Sequence, residues 1–276
     1  MIFVYKKWKN FCDNLQKKGF ISIPACDINS KSGNYLVLKH DVETDVRHAY
    51  EIAKIEYLYG HRGSYYVQAY LLDNPENIEL LKQIRKMGHE VSYHYDVMDS
   101  CHGNLDSAVD EFERNRQLFE DNGFSVVTVC QHGNPVVERI GYSSNRDFFR
   151  SDRVNELYPD ISDIMVNFKS KNSTDYLYFS DAGREFKLIY DPINNDIINS
   201  DDKNISFDDL GKLLNNLDTK KGNIISIHPH RWTKSSALYL IKSCIFKTAK
   251  AIAKALMKIP FFKKVMSKYY YLAKKI

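Results

Sequence analysis

The stretch Tyr35-Leu36-Val37-Leu38-Lys39-His40-Asp41-Val42-Glu43-Thr44-Asp45 decides how this chain is read. Four apolar residues, Tyr35 to Leu38, come after Ser32-Gly33-Asn34, so a short buried strand is expected there. The strand runs straight into Lys39, His40, Asp41 and Glu43. A core absorbs such charge only where it is paired or metal-bound. Strand side chains alternate with period two, which allows Asp41 and Glu43 to share a face. Carboxylates and a histidine at the carboxyl end of a buried strand stand where α/β folds place their sites. The plainer reading has Asp41 capping the next helix and His40 and Glu43 in solvent, and the stretch alone fits it as well.

The same alternation continues downstream. A helix is expected over 45–59, with Val46, Ala49, Ile52, Ala53 and Leu58 on one side and Gly60 as its stop. A strand at 64–68 comes next, then a helix over 75–87 flanked by Pro75 and Gly88. After these stand a strand at 89–93, a helix over 105–121 and a strand at 126–129. Upstream, 4–18 reads as a short helix ended by Gly19. From 136 to 205 the pattern weakens to one strand at 176–179 and a polar loop at 193–204; a helix over 207–217 and a buried strand at 224–227 close the series. Strand and helix alternating four times argue for parallel βα units.

His40, His94, His132 and His228 each lie just past the carboxyl end of an expected strand. In a barrel of parallel strands those ends converge on one face. A lone histidine is commonly structural, but four at equivalent positions point to a shared site. His89 reads as structural, His102 as an exposed loop residue, and His48 and His61 as solvated helix-edge residues.

These residues resemble the polysaccharide deacetylase superfamily, carbohydrate esterase family four, with its NodB-homology fold. His40-Asp41-Val42-Glu43 is similar to the first motif of its divergent His-Asp-Val-Asp branch. Gly88 to Asp96, GHEVSYHYD, is similar to the family's Gly-His-Glu strand and the metal-binding histidine after it. Ile225-Ser226-Ile227-His228 is similar to the strand that delivers a general-acid histidine. The likeness covers about residues 35–232, in family order. It implies an α/β fold, a distorted (β/α) barrel of about seven parallel strands. It also implies one divalent metal, usually zinc and sometimes cobalt, nickel or manganese, held by a carboxylate and two histidines. The activity implied is hydrolysis of the N-acetyl group of an amino sugar.

Three departures bear on the site. Val42 comes after Asp41 where the family commonly has a second Asp, so the ligand role passes to Glu43 or to Asp41 itself. The second metal histidine, four residues after the first, is here Met98, a poor ligand for such a metal, and its replacement comes from His132, Asp96 or His102. The family's arginine motif is replaced by Gln131-His132-Gly133. With these changes the resemblance gives Asp41 as base and His228 as acid, and Glu43, His94 and His132 as metal ligands. His40, Asp96, Asp181, His230 and Trp232 would orient those groups or meet substrate, while Asp96 equally suits a cap of the next turn and His230 and Trp232 a cap of the barrel. The alternative is a carbohydrate-binding relative without catalysis, which Met98 favours.

Composition sets the outer bounds. The chain of 276 residues is 43% hydrophobic and 27% charged, as a globular protein requires. Its net charge of +4 conceals an asymmetry: the last acidic residue is Asp218, and 14 Lys and Arg lie beyond it. Residues 1–235 are expected to form the deacetylase-like domain, and 236–276 a basic amphipathic helical tail. In that tail Lys247, Lys250, Lys254 and Lys258 line one face of a helix expected over 246–259, a pattern suited to an anionic membrane surface. Nothing resembles a base-reading module, so nucleic acid is not an expected partner. Five scattered cysteines without a CxxC, no signal-peptide pattern and no long apolar run give a cytoplasmic protein, at most peripheral to the inner face of the membrane, as the expectation.

Overall fold

Seven consecutive buried residues, Leu36–Val42, form β1, on either side of which the sheet is built. The computed structural model describes residues 3–29, 34–134, 137–172, 175–198 and 201–242, with Cys244, Ile245 and Thr248. In chain order the elements are α1 (Tyr5–Lys17), β1, α2 (Val46–Leu58), β2 (Ser64–Val67), α3 (Pro75–Lys86), β3 (Glu90–Tyr95), α4 (Val97–Ser100), α5 (Leu105–Asp121) and β4 (Thr128–Gln131). Then come α6 (Asp147–Arg150), α7 (Asp152–Leu157), β5 (Ser162–Asp163), α8 (Phe168–Asn172), β6 (Tyr176–Ser180), β7 (Phe186–Leu188), β8 (Ile205–Phe207), α9 (Leu210–Asn215) and β9 (Gly222–Ile227). Helices α2, α3 and α5 start on side-chain caps: Asp45, Asn74 and Asn104 accept from the amides of Arg47, Glu76 and Ser107.

The sheet order is β5-β4-β3-β2-β1-β9-β6-β7-β8. The first seven strands are mutually parallel, and β7 and β8 add an antiparallel hairpin. In a flat sheet β5 and β6 would stand six spacings apart, roughly 29 Å. Instead the Tyr176 hydroxyl at the start of β6 donates to the carbonyl of Ile164, just after β5, at 3.2 Å. The sheet is therefore strongly curled, and its inner face is filled by Val37, Tyr66, Cys130, Ile164, Tyr178 and Ile224. Among the described residues no ladder joins β5 to β6. β6 commits part of its outer edge, at Phe179 and Ser180, to β7.

Helices cover the outer face. Trp8, Phe11 and Leu15 of α1 pack with Leu36, Leu38, Ile225 and Ile227, while Val46, Leu81 and Phe112 of α2, α3 and α5 cover β2 and β3. Beneath α2 a buried carboxylate, Glu56, accepts from Trp8 Nε1 at 3.1 Å, His40 Nε2 at 3.1 Å and the Tyr65 hydroxyl at 2.7 Å. Three donors make that burial tolerable. Gly63 is required beside it, because a Cβ there would lie 2.7 Å from the Leu38 carbonyl and 3.1 Å from Glu56.

Several expectations shift. The fourth strand begins at Thr128, two residues later than expected. The helix expected over 207–217 is confined to Leu210–Asn215, because Ile205–Phe207 pairs with β7. His61 is not solvated but fully buried between Ser22 N and the Cys12 carbonyl, and His48 is half-buried, with Nδ1 meeting the Tyr5 hydroxyl at 2.6 Å. A helix runs over 236–242, while the basic helix expected over 246–259 lies outside the described residues, apart from Thr248. Among the described residues no helix is long and apolar enough to cross a membrane.

Candidate active site

Period two sets what β1 presents to each side. Val37, Lys39 and Asp41 point into the curl, whereas Leu36, Leu38, His40 and Val42 point out. Glu43 comes next, on the inner side, as the chain leaves the strand. From the carboxyl ends of β3, β4 and β9 come His94, His132 and His228.

Glu43 Oε1 lies 3.2 Å from His132 Nδ1, which lies 3.2 Å from His94 Nε2, and Glu43 Oε1 is 3.9 Å from His94 Nε2. The expected ligand trio is thus brought together at one end of the sheet. Tetrahedral zinc with bonds of ~2.0–2.1 Å has ligand atoms about 3.3 Å apart, so the triangle fits one cation with a fourth position open. His94 Nδ1 lies 3.0 Å from the Cys130 carbonyl. A carbonyl only accepts, so the proton sits on Nδ1, and Nε2 offers its lone pair to the triangle. Burial would raise the Glu43 carboxyl, but the charge of His228 and the hydrogen bond from His132 hold it well below the usual carboxylate range. A charged carboxylate and two imidazole nitrogens are a donor set suited to zinc or a neighbouring divalent metal.

Asp41 and His228 flank the triangle. His228 Nε2 lies 3.8 Å from Asp41 Oδ2 and 3.6 Å from Glu43 Oε1. Its Nδ1 is 2.5 Å from Asp181 Oδ1, and its backbone N donates to Asp181 Oδ2 at 3.1 Å. Asp181 is fully buried and also accepts from Arg231 Nη1 at 2.8 Å. Burial would raise its carboxyl, but Arg231 and His228 lower it, so it stays charged and fixes the His228 ring.

One residue at the site was not singled out in the sequence. Lys39, 1% exposed, donates to both oxygens of Asp41 at 2.5 and 2.7 Å and to Ser226 Oγ at 3.2 Å. Burial pushes the Asp41 carboxyl up; the Lys39 ammonium, with His94 and His228 behind it, overcomes this and holds it at about 2. The signal was present, since Lys39 is two residues before Asp41 and shares its face.

The remaining expected residues divide. His230 Nδ1 lies 4.0 Å from Glu43 Oε2, beside the triangle, and burial lowers this imidazole to about 4 against the pull of Glu43. His40 is on the opposite face of β1, stacked on Tyr65 at 4.1 Å and bonded to Glu56, so it orients none of the site rings. Asp96 lines a separate polar cavity of about 270 Å³ with Gln68, Tyr70, Asp73 and Glu111. Trp232 corrects the expectation that it meets substrate: it is fully buried, edge-on to Trp8 at 5.1 Å and Phe3 at 5.2 Å, and belongs to the core. Met98, in α4, is buried in the core, and His102 is exposed at a positive φ of 51°. His89 is structural, with Nδ1 accepting from Gly63 N and Nε2 donating to the Ala53 carbonyl.

No family model and no curated protein matches this chain. Among solved structures the chain is similar to the catalytic domain of peptidoglycan N-acetylglucosamine deacetylase from Eubacterium rectale, with a TM-score of 0.42 and 11% identity over 81% of this chain and 88% of that one.

Proposed function

We propose that this protein is a metal-dependent hydrolase that removes an N-acetyl group from an amino sugar of a surface polysaccharide or glycolipid intermediate. The observation that carries the reading is the triangle of Glu43, His94 and His132, with Asp41 and an Asp181-fixed His228 beside it. Amides are stable electrophiles, so their hydrolysis needs charge placed at the acyl oxygen, a base for the attacking water and an acid for the departing amine. A divalent cation, zinc for preference, supplies polarisation of the acyl oxygen and a water of lowered pKa when bound. Glu43, His94 and His132 are the residues that hold it. Asp41 is charged and takes the proton of the attacking water. His228, oriented through Nδ1, presents Nε2 to the amine nitrogen and donates there. The basic tail, by its composition, would keep the protein at an anionic membrane surface, where lipid-linked sugars are handled.

A second reading has one observation in its favour. Both oxygens of Asp41 are occupied by Lys39, which weakens it as a base and suits a carbohydrate-binding relative that does not turn over. One experiment separates the two. The chelator-stripped protein is titrated with zinc and assayed for acetate release from N-acetylglucosamine oligomers, beside Asp41→Asn. Zinc binding by both proteins, with release by wild type only, is the expected result. Zinc binding with no release by either favours the binding relative, and absence of zinc binding removes the metal reading.

A further inference from the structure

His132 is the first residue beyond β4, and its amide makes the last strand-like bond there, to the Tyr95 carbonyl at 2.7 Å. Among the described residues beyond it no ladder holds the chain, yet the His132 ring must stand 3.2 Å from both Glu43 Oε1 and His94 Nε2. Two donors grip this segment from outside. Asn145 Nδ2 donates to the His132 carbonyl at 2.8 Å, and Arg139 Nη2 donates to the Asn134 carbonyl at 2.8 Å.

Both donors are aimed by one carboxylate. Asp99, in α4, accepts from Arg139 Nε at 2.8 Å, Arg139 Nη2 at 2.9 Å, Asn145 Nδ2 at 2.8 Å and the Tyr142 hydroxyl at 3.1 Å. Its own amide donates to Asn145 Oδ1 at 2.9 Å, so both ends of that buried side chain are fixed. The bidentate Arg139 fork adds direction as well as charge. Tyr142 is seated against Gly103, where a Cβ would fall 2.6 Å from its ring and where φ is +81°. A plain structural ion pair would need only Arg139. The Asn145 amide pointed at the carbonyl of a triangle residue is a feature such a pair does not account for. His94 is anchored independently, through Cys130, so the clamp acts on His132.

We infer that Asp99, through Asn145 and Arg139, is the positioning group that makes His132 a metal ligand, in the place left by Met98. This rests on the metal reading of the site. Groups that orient ligands commonly change metal affinity by ~10–100-fold when removed.

The test uses the full chain, stripped with chelator and titrated with cobalt(II), read by dissociation constant and visible ligand-field spectrum. Asn145→Ala and Asp99→Asn should bind cobalt ~10–100-fold more weakly than wild type. Their spectra should move toward that of His132→Ala. The melting temperature of the metal-free protein is measured separately, since a merely structural role would lower it and leave affinity and spectrum unchanged. Wild-type affinity and spectrum in both variants overturn the inference. Should Asn145→Ala fail to fold, Asp99→Asn and Tyr142→Phe carry the test by the same criterion. If wild type itself binds no cobalt, the metal reading and this inference fall together; equal binding by all proteins removes this inference alone.

Discussion

Replacing Lys39 by Met keeps the aliphatic stem and deletes the ammonium from a site where it is 1% exposed and bonded to both Asp41 oxygens. Breaking a buried pair in this way costs about 3–5 kcal/mol, because the other charge stays buried and unpaired. A separate figure comes from Asp41, whose carboxyl is held at about 2 against an ordinary 3.8. At 1.36 kcal/mol per unit that is about 2 kcal/mol, a lower bound since it leaves out the desolvation that Lys39 now offsets. A loss of about 3 kcal/mol at pH 7.5 is therefore expected for Lys39→Met. The dependence on pH has a definite sign. In wild type the Asp41 contribution is complete above 3.8 and is lost as pH falls from there toward 2. In the variant, burial is no longer opposed by Lys39 and the carboxyl protonates more readily, so the gap to wild type narrows on acidification. Lys39→Met combined with Asp41→Asn removes both charges and should recover most of the loss. Urea unfolding with chelator present, at pH 7.5 and 5, measures all of this. A loss below about 1 kcal/mol at pH 7.5, or a gap that widens toward pH 5, refutes the claim that this pair is a tightly coupled buried one.

Asp181→Asn should leave zinc binding unchanged and reduce acetate release by ~10²-fold or more, since His228 loses the group that orients it; release near the wild-type rate would take the acid role from His228. Trp232→Ala should cost about 3–5 kcal/mol in urea unfolding without altering affinity for a chitooligosaccharide, and weakened sugar binding at unchanged stability would return Trp232 to the substrate surface. Full-length protein should co-sediment with anionic liposomes while a chain ending near Trp232 should not, each lysine near the surface adding ~1 kcal/mol. Equal sedimentation of the two excludes the tail as an anchor.

Residues at strand ends were the easiest to read, because an apolar run that gives way at once to His, Asp or Glu is a local signal. Asp41, Glu43, His94, His132 and His228 are the ones the structure brings together. The same periodicity could have drawn in Lys39 and turned His40 outward. Other features depend on distant partners. Asp99 and Asn145 are 46 residues apart, and nothing near either one announces the bond. Trp232 comes after His-Pro-His-Arg and reads as a surface aromatic, but Trp8 and Phe3, from the far end of the chain, enclose it. β5 has two residues and β8 three, too few for a period to register.

A sheet that curls without lacing itself shut keeps two free ends, and a free strand end invites another chain to pair with it. Among the described residues those ends are β5 and β8. Two residues on one side and three on the other offer an incoming strand very few backbone bonds. The elements hardest to find in the sequence are, by the same shortness, a guard against fibre-like growth. Lengthening β8 with alternating apolar residues would remove that guard, leaving a protein that folds as before and self-associates through its edge.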